Sequence, residues 1–358
     1  MRLPGFATIQ KGARWFKGKS CAKGLILLYH RVNESRSDPQ LLSVAPQRFA
    51  KQLAHLSRHC HVVSLNELIC DSERGKDRAT RRVAITFDDG YADNLLNAKP
   101  ILEAYKTPAT VFVSTGYIGG KKEFWWDELE KIFLHPSSLP AVLSLEINGH
   151  PYEWNLGDAS CYGAEEFAAH RTWSVLWKDD PTVRQRIYRA LCTLLRPLSK
   201  QERDTILHTL RMWAHIEEGV QATHRPLTSG EVRELGSGEL VEVGAHTVSH
   251  SVLSGLSVID QREEISQSKV RLEEILGHPV AGFAYPYGTK SDYTQQTATL
   301  VREGGFSLAC SNYPETVTER TERYQLPRFI VRDWSEDTFA RAVDRWFDGS
   351  VGEGPDGP

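Results

Sequence analysis

The sequence predicts an α/β fold built on about seven parallel strands, a number that suits a barrel. Three observations carry this. Seven short apolar runs read as buried strands: Leu25–Tyr29, Val83–Phe87, Thr110–Ser114, Leu240–Gly244, Gly282–Tyr285, Phe306–Cys310 and Leu326–Val331. Segments with helical spacing lie between many of them, and strands alternating with helices form parallel sheets. The chain has 358 residues, long for one ordinary domain but normal for a barrel with insertions.

The helical segments can be justified one by one. "PQRFAKQLAHLSRH" (46–59) places Phe49, Leu53 and Leu56 on one face. "SVIDQREEISQSKVRLEEILG" (257–277) carries Ile265, Val270, Leu272, Ile275 and Leu276, with Gly277 as a stop. Between residues 120 and 223 the pattern changes. Six of the nine tryptophans fall there, and 179–214 reads as two helices around Pro197. The stretch is expected to be a mostly helical, Trp-rich insertion, either a lid or a subdomain with its own core. The expected organisation is a basic segment (1–23), a barrel (24–119 and 224–347), the insertion (120–223) and a disordered Gly/Pro-rich tail (348–358).

Forty per cent of residues are hydrophobic, enough for a sizeable core, and 43 basic residues nearly balance 46 acidic ones. That balance argues against bulk nucleic-acid binding. The charge is unevenly spread. No acidic residue precedes Glu34, whereas Arg2, Lys11, Arg14, Lys17, Lys19, Lys23 and Arg31 do, with Trp15 and Phe16 among them. This is either a solvated terminal helix or a segment that lies on an anionic inner membrane face. No run approaches the ~20 apolar residues of a membrane span. No continuous apolar core of a secretory leader is evident either, so a cytoplasmic, possibly membrane-peripheral, location is expected. The six cysteines are scattered without a CxxC pair, which argues against a cysteine zinc site.

Three strand ends carry chemistry. "VAITFDDGYADN" (83–94) runs an apolar strand into Asp88, Asp89 and Gly90. Two adjacent carboxylates repel unless a cation or a shared proton relieves them; the alternative is an Asp capping the next helix. "ELVEVGAHTVSHSVLS" (239–254) ends a strand in His246, with His250 at i+4. Two imidazoles at this spacing can bind one ion, although Thr247 stands where zinc proteases place a Glu. Two His plus one Asp make a plausible ligand set with positions left for water and substrate. "AGFAYPYGTKSD" (281–292) places Pro286, Tyr287 and Gly288 at a third end, where a backbone N–H could face a site or the chain could simply turn.

"TFDDG", "HTVSH" and "YPYG", in this order, resemble the first three motifs of the polysaccharide deacetylase family (NodB-homology domain, carbohydrate esterase family 4). The resemblance covers about residues 24–119 and 224–335. It implies a distorted (β/α) barrel and metal-dependent removal of an N-acetyl group from a sugar. It also implies roles: Asp88 as general base, Asp89, His246 and His250 as ligands of a divalent metal, and the Tyr287 N–H as an oxyanion donor. Zinc fits that ligand set first, and cobalt, nickel, manganese or iron fit it too.

Two departures matter. The family usually draws the leaving-group proton from a His on a late strand, and no His follows Tyr287 here. "GLILLYHRV" (24–32) is similar to that strand placed first, an order found in exopolysaccharide-type members. His30 is therefore assigned as general acid, against the alternative of a core histidine. Many members also carry an Arg two residues before the motif's Pro, where Ala284 stands here; Arg328 or Arg332 is expected to supply that guanidinium. Trp125 and Trp126 in "EFWWDEL" are either core or a sugar-stacking platform, with Asp127 beside them.

The expected activity is thus de-N-acetylation of a sugar in a polysaccharide or a lipid-linked glycan precursor. Removal of a formyl group and a catalytically silent carbohydrate-binding barrel are the alternatives. A glycosidase built on Asp88 and a second carboxylate would leave His246 and His250 without a purpose.

Overall fold

The computed structural model describes residues 24–73, 80–119 and 122–350. The basic segment expected at 1–23 and the end of the expected tail, 351–358, lie outside the described residues. Seven parallel strands form the main sheet: β1 (Gly24–Tyr29), β2 (Arg82–Phe87), β3 (Ala109–Val113), β4 (Val241–Ala245), β5 (Gly282–Ala284), β6 (Leu308–Cys310) and β7 (Phe329–Ile330). Their spatial order is β7-β1-β2-β3-β4-β5-β6, a distorted (β/α) barrel. A short strand, His61–Val62, adds beside the start of β2.

The last strand therefore lies next to the first, with Leu28 opposite Ile330. The expected strand 326–331 is split across the seam between β6 and β7. Leu326 makes an isolated parallel bridge to Cys310, and only Phe329 and Ile330 pair regularly with β1. Pro327 lies between them and has no N–H to continue a ladder.

Side chains alternate along each strand between two cores. Leu25, Leu27, Tyr29, Val83, Ile85 and Phe87 pack outward under the helices. Ile26, Ala84, Phe112, Ala284, Cys310 and Leu326 form a second cluster that fills the barrel. Phe112 occupies so much of that interior that a Cβ on Gly244 would lie 2.4 Å from its ring. The even-numbered residues that follow on these strands (His30, Asp88, His246) are thereby aimed at the open end.

The helices form where the spacing predicts. Pro46–His59 buries Phe49, Leu53 and Leu56. Val258–Leu276 starts at Ser257, whose hydroxyl accepts from the Asp260 N–H, and stops at Gly277 with φ +76°. Val183–Leu195 and Lys200–Ala214 flank Pro197, the second opened by a Ser199–Glu202 capping box.

The insertion is mostly helical, as expected, with helices at Trp125–Phe133, Ala164–His170, Val183–Leu195 and Lys200–Ala214. It also holds a hairpin, Val142–Ile147 with His150–Asn155, turned at Asn148 and Gly149, both at positive φ. Asn-Gly between alternating residues is a strong hairpin signal, outweighed in the sequence by the surrounding helix and tryptophan content. The insertion has a core of its own, around Leu143, Ile187, Leu191 and Leu210, to which the barrel contributes Tyr91 and Tyr117. Among the described residues no helix is long and apolar enough to cross a membrane.

Candidate active site

Register brings the site together. Tyr29 lies opposite Phe87, so His30 and Asp88 emerge side by side; Leu28 opposite Ile330 brings Arg332 to the same rim. A cavity of about 910 Å³ opens there, lined by His30, Asp88, Asp89, His246, His250 and Tyr287 among others.

Asp88 is 4 % exposed and gripped on both oxygens by Arg328: Nη1 donates to Oδ1 at 2.7 Å and Nη2 to Oδ2 at 2.6 Å. Arg328 is itself fixed, with Nε donating to the Ser311 carbonyl at 2.7 Å. Burial pushes the Asp88 carboxyl up, but Arg328 holds it below the usual carboxylate range. Of the two candidate arginines, Arg328 thus makes the bidentate contact. Arg332 lines the cavity and donates to the Leu41 carbonyl.

Asp89 sits at φ +76°, Thr247 at +62°, His250 at +53° and Tyr287 at +59°. Non-glycine residues adopt this region at a cost, and such strain clusters at functional sites. Gly90, at φ +86°, is required because a Cβ would lie 2.8 Å from Val113 Cγ1. The turn is held from outside: Leu227 N–H donates to the Gly90 carbonyl and Ala92 N–H to that of Arg225.

The ligand atoms of Asp89, His246 and His250 all lie within 4.8 Å of one another. His246 Nδ1 lies 2.7 Å from the Ala284 carbonyl, which can only accept, so Nδ1 carries the proton and Nε2 faces the carboxylates. Asp89 Oδ1 has His250 Nε2 at 3.2 Å and His246 Nε2 at 3.6 Å, yet it is buried and makes no hydrogen bond. Against the effect of burial, the two imidazoles hold the Asp89 carboxyl far below its ordinary range. One carboxylate oxygen and two imidazoles converging without other partners fit a divalent ion. The set suits zinc, and does not exclude cobalt, nickel, manganese or iron.

The sequence did not reveal what fixes these ligands. Glu264 accepts from the Val248 and Ser249 N–H groups, both at 2.9 Å, and from Ser249 Oγ at 2.7 Å. Arg203 of the insertion donates to the Ser249 carbonyl at 2.9 Å. Both sit inside helices whose periodicity shows nothing unusual. Asn312 Nδ2 donates to the Tyr287 carbonyl at 3.0 Å, and Asn312 N–H to that of Gly288 at 2.7 Å. The Pro286 carbonyl accepts from Gly288 N–H at 2.6 Å, closing the turn.

His30 lies in the cavity wall, its carbonyl accepting from Asn94 Nδ2 at 2.8 Å. Burial lowers its pKa to about 4, opposed by Asp89 and Asp88. Trp125 and Trp126 are nearly buried. Trp126 lies edge-on to His250, ring centres 5.0 Å apart, and stacks on Phe124. Both line the cavity, in the wall beside His250. Arg31, grouped above with the basic N-terminal residues, is buried and its Nε donates to Asp93 Oδ2 at 3.0 Å. It is no part of a basic surface.

A polysaccharide deacetylase family model matches residues 75–138 and 207–306, skipping most of the insertion. Over those residues the chain is similar to the polysaccharide deacetylase family. Over 139 residues it is 34% identical to poly-β-1,6-N-acetyl-D-glucosamine N-deacetylase of Staphylococcus aureus, covering 35% of this chain and 48% of that one. It is 30% identical over 138 residues to YxkH of Bacillus subtilis, also named for polysaccharide deacetylation, again covering 48% of it. The matches thus span about half the length of these relatives. Among solved structures, the Streptococcus pyogenes deacetylase PplD superposes with a TM-score of 0.55 at 18% identity, over 90% of this chain and 99% of that one. IcaB of Ammonifex degensii gives 0.52 at 18%, over 92% and 98%. At such identity these two show a shared fold.

Proposed function

We propose that this chain is a divalent-metal-dependent de-N-acetylase acting on an N-acetylated amino sugar within a glycan. The observation that carries the reading is the pairing of two differently prepared carboxylates. Asp88 is locked to Arg328, and Asp89 is turned with its free oxygen toward His246 and His250. The names of the Staphylococcus aureus relatives support N-acetylglucosamine as the sugar. The cavity, about 910 Å³, is near the upper end for small-ligand sites and leaves room for a sugar with its glycan or lipid-linked continuation.

Asp89, His246 and His250 would hold the ion. When bound, it supplies Lewis acidity to a carbonyl oxygen and makes a water easier to deprotonate. Asp88, kept ionised by Arg328, takes the proton of the attacking water. The Tyr287 N–H donates to the oxygen that becomes negative as the acetyl carbon turns tetrahedral. His30 hands a proton to the amine nitrogen as the carbon–nitrogen bond breaks, leaving acetate and a free amino sugar. A His30 neutral at rest must gain that proton within the cycle, and the field of Asp88 and Asp89 favours its charged form.

The test is acetate release from N-acetylglucosamine oligomers and from lipid-linked N-acetylated precursors with added zinc. Activity lost in Asp88→Asn is the expected result. Release of formate but not acetate from matched substrates would replace the acetyl reading with a formyl one.

A further inference from the structure

The barrel meets the insertion at a second group of buried ligating side chains. Asp127 and Glu130, three apart on the helix Trp125–Phe133, face the same side. His224 reaches them from the segment that returns the chain to the barrel. The three are 4, 5 and 8 % exposed, and their ligand atoms lie within 4.8 Å of one another.

Two buried carboxylates this close need positive charge or a shared proton. The nearby cations are largely committed elsewhere. Arg31 Nε pairs with Asp93, Nη2 donates to the Thr223 carbonyl, and the guanidinium sits 4.5 Å over the Tyr91 ring. His135 Nε2 lies 3.6 Å from Glu130 Oε1. A further acid, Glu123, faces the group: with burial and Glu130 it drives the Asp127 carboxyl well above its usual range, opposed by Arg31 and the Tyr91 hydroxyl.

Each of the three is also oriented from behind, as metal ligands are. Tyr91 OH donates to Asp127 Oδ2 at 2.8 Å, and Ser37 Oγ donates to Glu130 Oε1. Thr223 Oγ1 meets His224 Nδ1 at 2.9 Å; among the described residues nothing hydrogen-bonds the other nitrogen of this imidazole.

We propose that Asp127, Glu130 and His224 form a second divalent-cation site, distinct from Asp89, His246 and His250. Two carboxylates and an imidazole select zinc first and manganese or iron next; the nitrogen donor disfavours calcium and magnesium. The ion fastens the start of the insertion to its return. It also stiffens the wall behind the first site, because Trp126 Nε1 donates to Tyr91 OH at 2.9 Å while the Trp126 ring packs on His250.

The experiment counts zinc. Protein stripped with a chelator is titrated with zinc, gel-filtered and assayed by elemental analysis. Wild type is expected to retain two ions per chain, Asp89→Ala one, Glu130→Gln one, and the double variant none. Crystals of wild type soaked in zinc should show an anomalous peak between Asp127, Glu130 and His224, which decides the matter even if Glu130→Gln does not fold. A single ion in wild type, lost in Asp89→Ala, with no such peak, overturns the proposal and leaves a proton shared between Asp127 and its neighbours. Failure of the de-N-acetylase reading shows differently: the zinc counts would stand and no acetate would be released.

Discussion

Replacing Arg328 with Met tests how the base is prepared. The substitution removes both hydrogen bonds to Asp88, at 2.7 and 2.6 Å, and leaves a carboxylate 4 % exposed without its cation. Breaking a buried pair from one side costs about 3–5 kcal/mol. The pH dependence has a definite sign. In wild type the Asp88 pKa is depressed, so its contribution is complete above the unfolded value near 4 and is lost as pH falls through the folded value. In Arg328→Met burial is opposed only by His246 and His30 and the pKa rises, so the penalty is largest at neutral pH and is relieved on acidification. Urea unfolding of metal-free protein should therefore show a gap at pH 7 that narrows at pH 4.5. Turnover at pH 7 should fall roughly 10²- to 10⁴-fold, the worth of a positioned base, with the acidic limb of kcat/KM moved to higher pH. Wild-type turnover with an unmoved limb would refute the assignment of Arg328 to Asp88, whatever the stability.

Other outcomes follow from the same geometry. His30→Gln should keep its zinc and lose about 10²- to 10⁴-fold in kcat; normal turnover would return His30 to the core. Glu264→Gln keeps the shape but weakens the grip on the Val248 and Ser249 N–H groups, so zinc affinity at the first site should drop about 10- to 100-fold by competition with a chelator. Gly90→Ala meets both a φ of +86° and a 2.8 Å contact with Val113, and should destabilise by about 1–3 kcal/mol in the same urea assay. Leu191→Ala, in the insertion core, should cost about 2–5 kcal/mol and show whether that core unfolds together with the barrel.

Much of this was legible in the chain because strand ends are local features. An apolar run followed by Asp88-Asp89-Gly90, or by His246 and His250, declares both the strand and what stands at its mouth. His30 could be placed because β1 looks like any other barrel strand and the parity of its side chains does the aiming. The choice between Arg328 and Arg332 was not legible: both are even-numbered and flank the same short strand, and only the depth of the barrel decides which reaches Asp88. Glu264 and Arg203 were invisible because each acts through a backbone group of a distant loop. The hairpin at Asn148-Gly149 carried its own signal and was outweighed by the helices around it. Arg31 looked like one more surface cation because its partner, Asp93, lies beyond a strand and a turn.

The adjacency of β7 and β1 has a consequence for how the protein comes into being. The residue assigned to protonate the leaving group stands on the first barrel strand to leave the ribosome, and the guanidinium that readies the base stands on the last. Until residue 328 is made, Asp88 lies in a barrel missing one stave, with no counter-charge beside it. A chain cut short by even thirty-odd residues would carry every motif from Asp88 to Gly288 and still lack a prepared base. Pairing β1 with β7 is also the longest-range contact the sheet contains, the kind that forms slowly. Chemical competence thus waits on the pairing of β1 with β7.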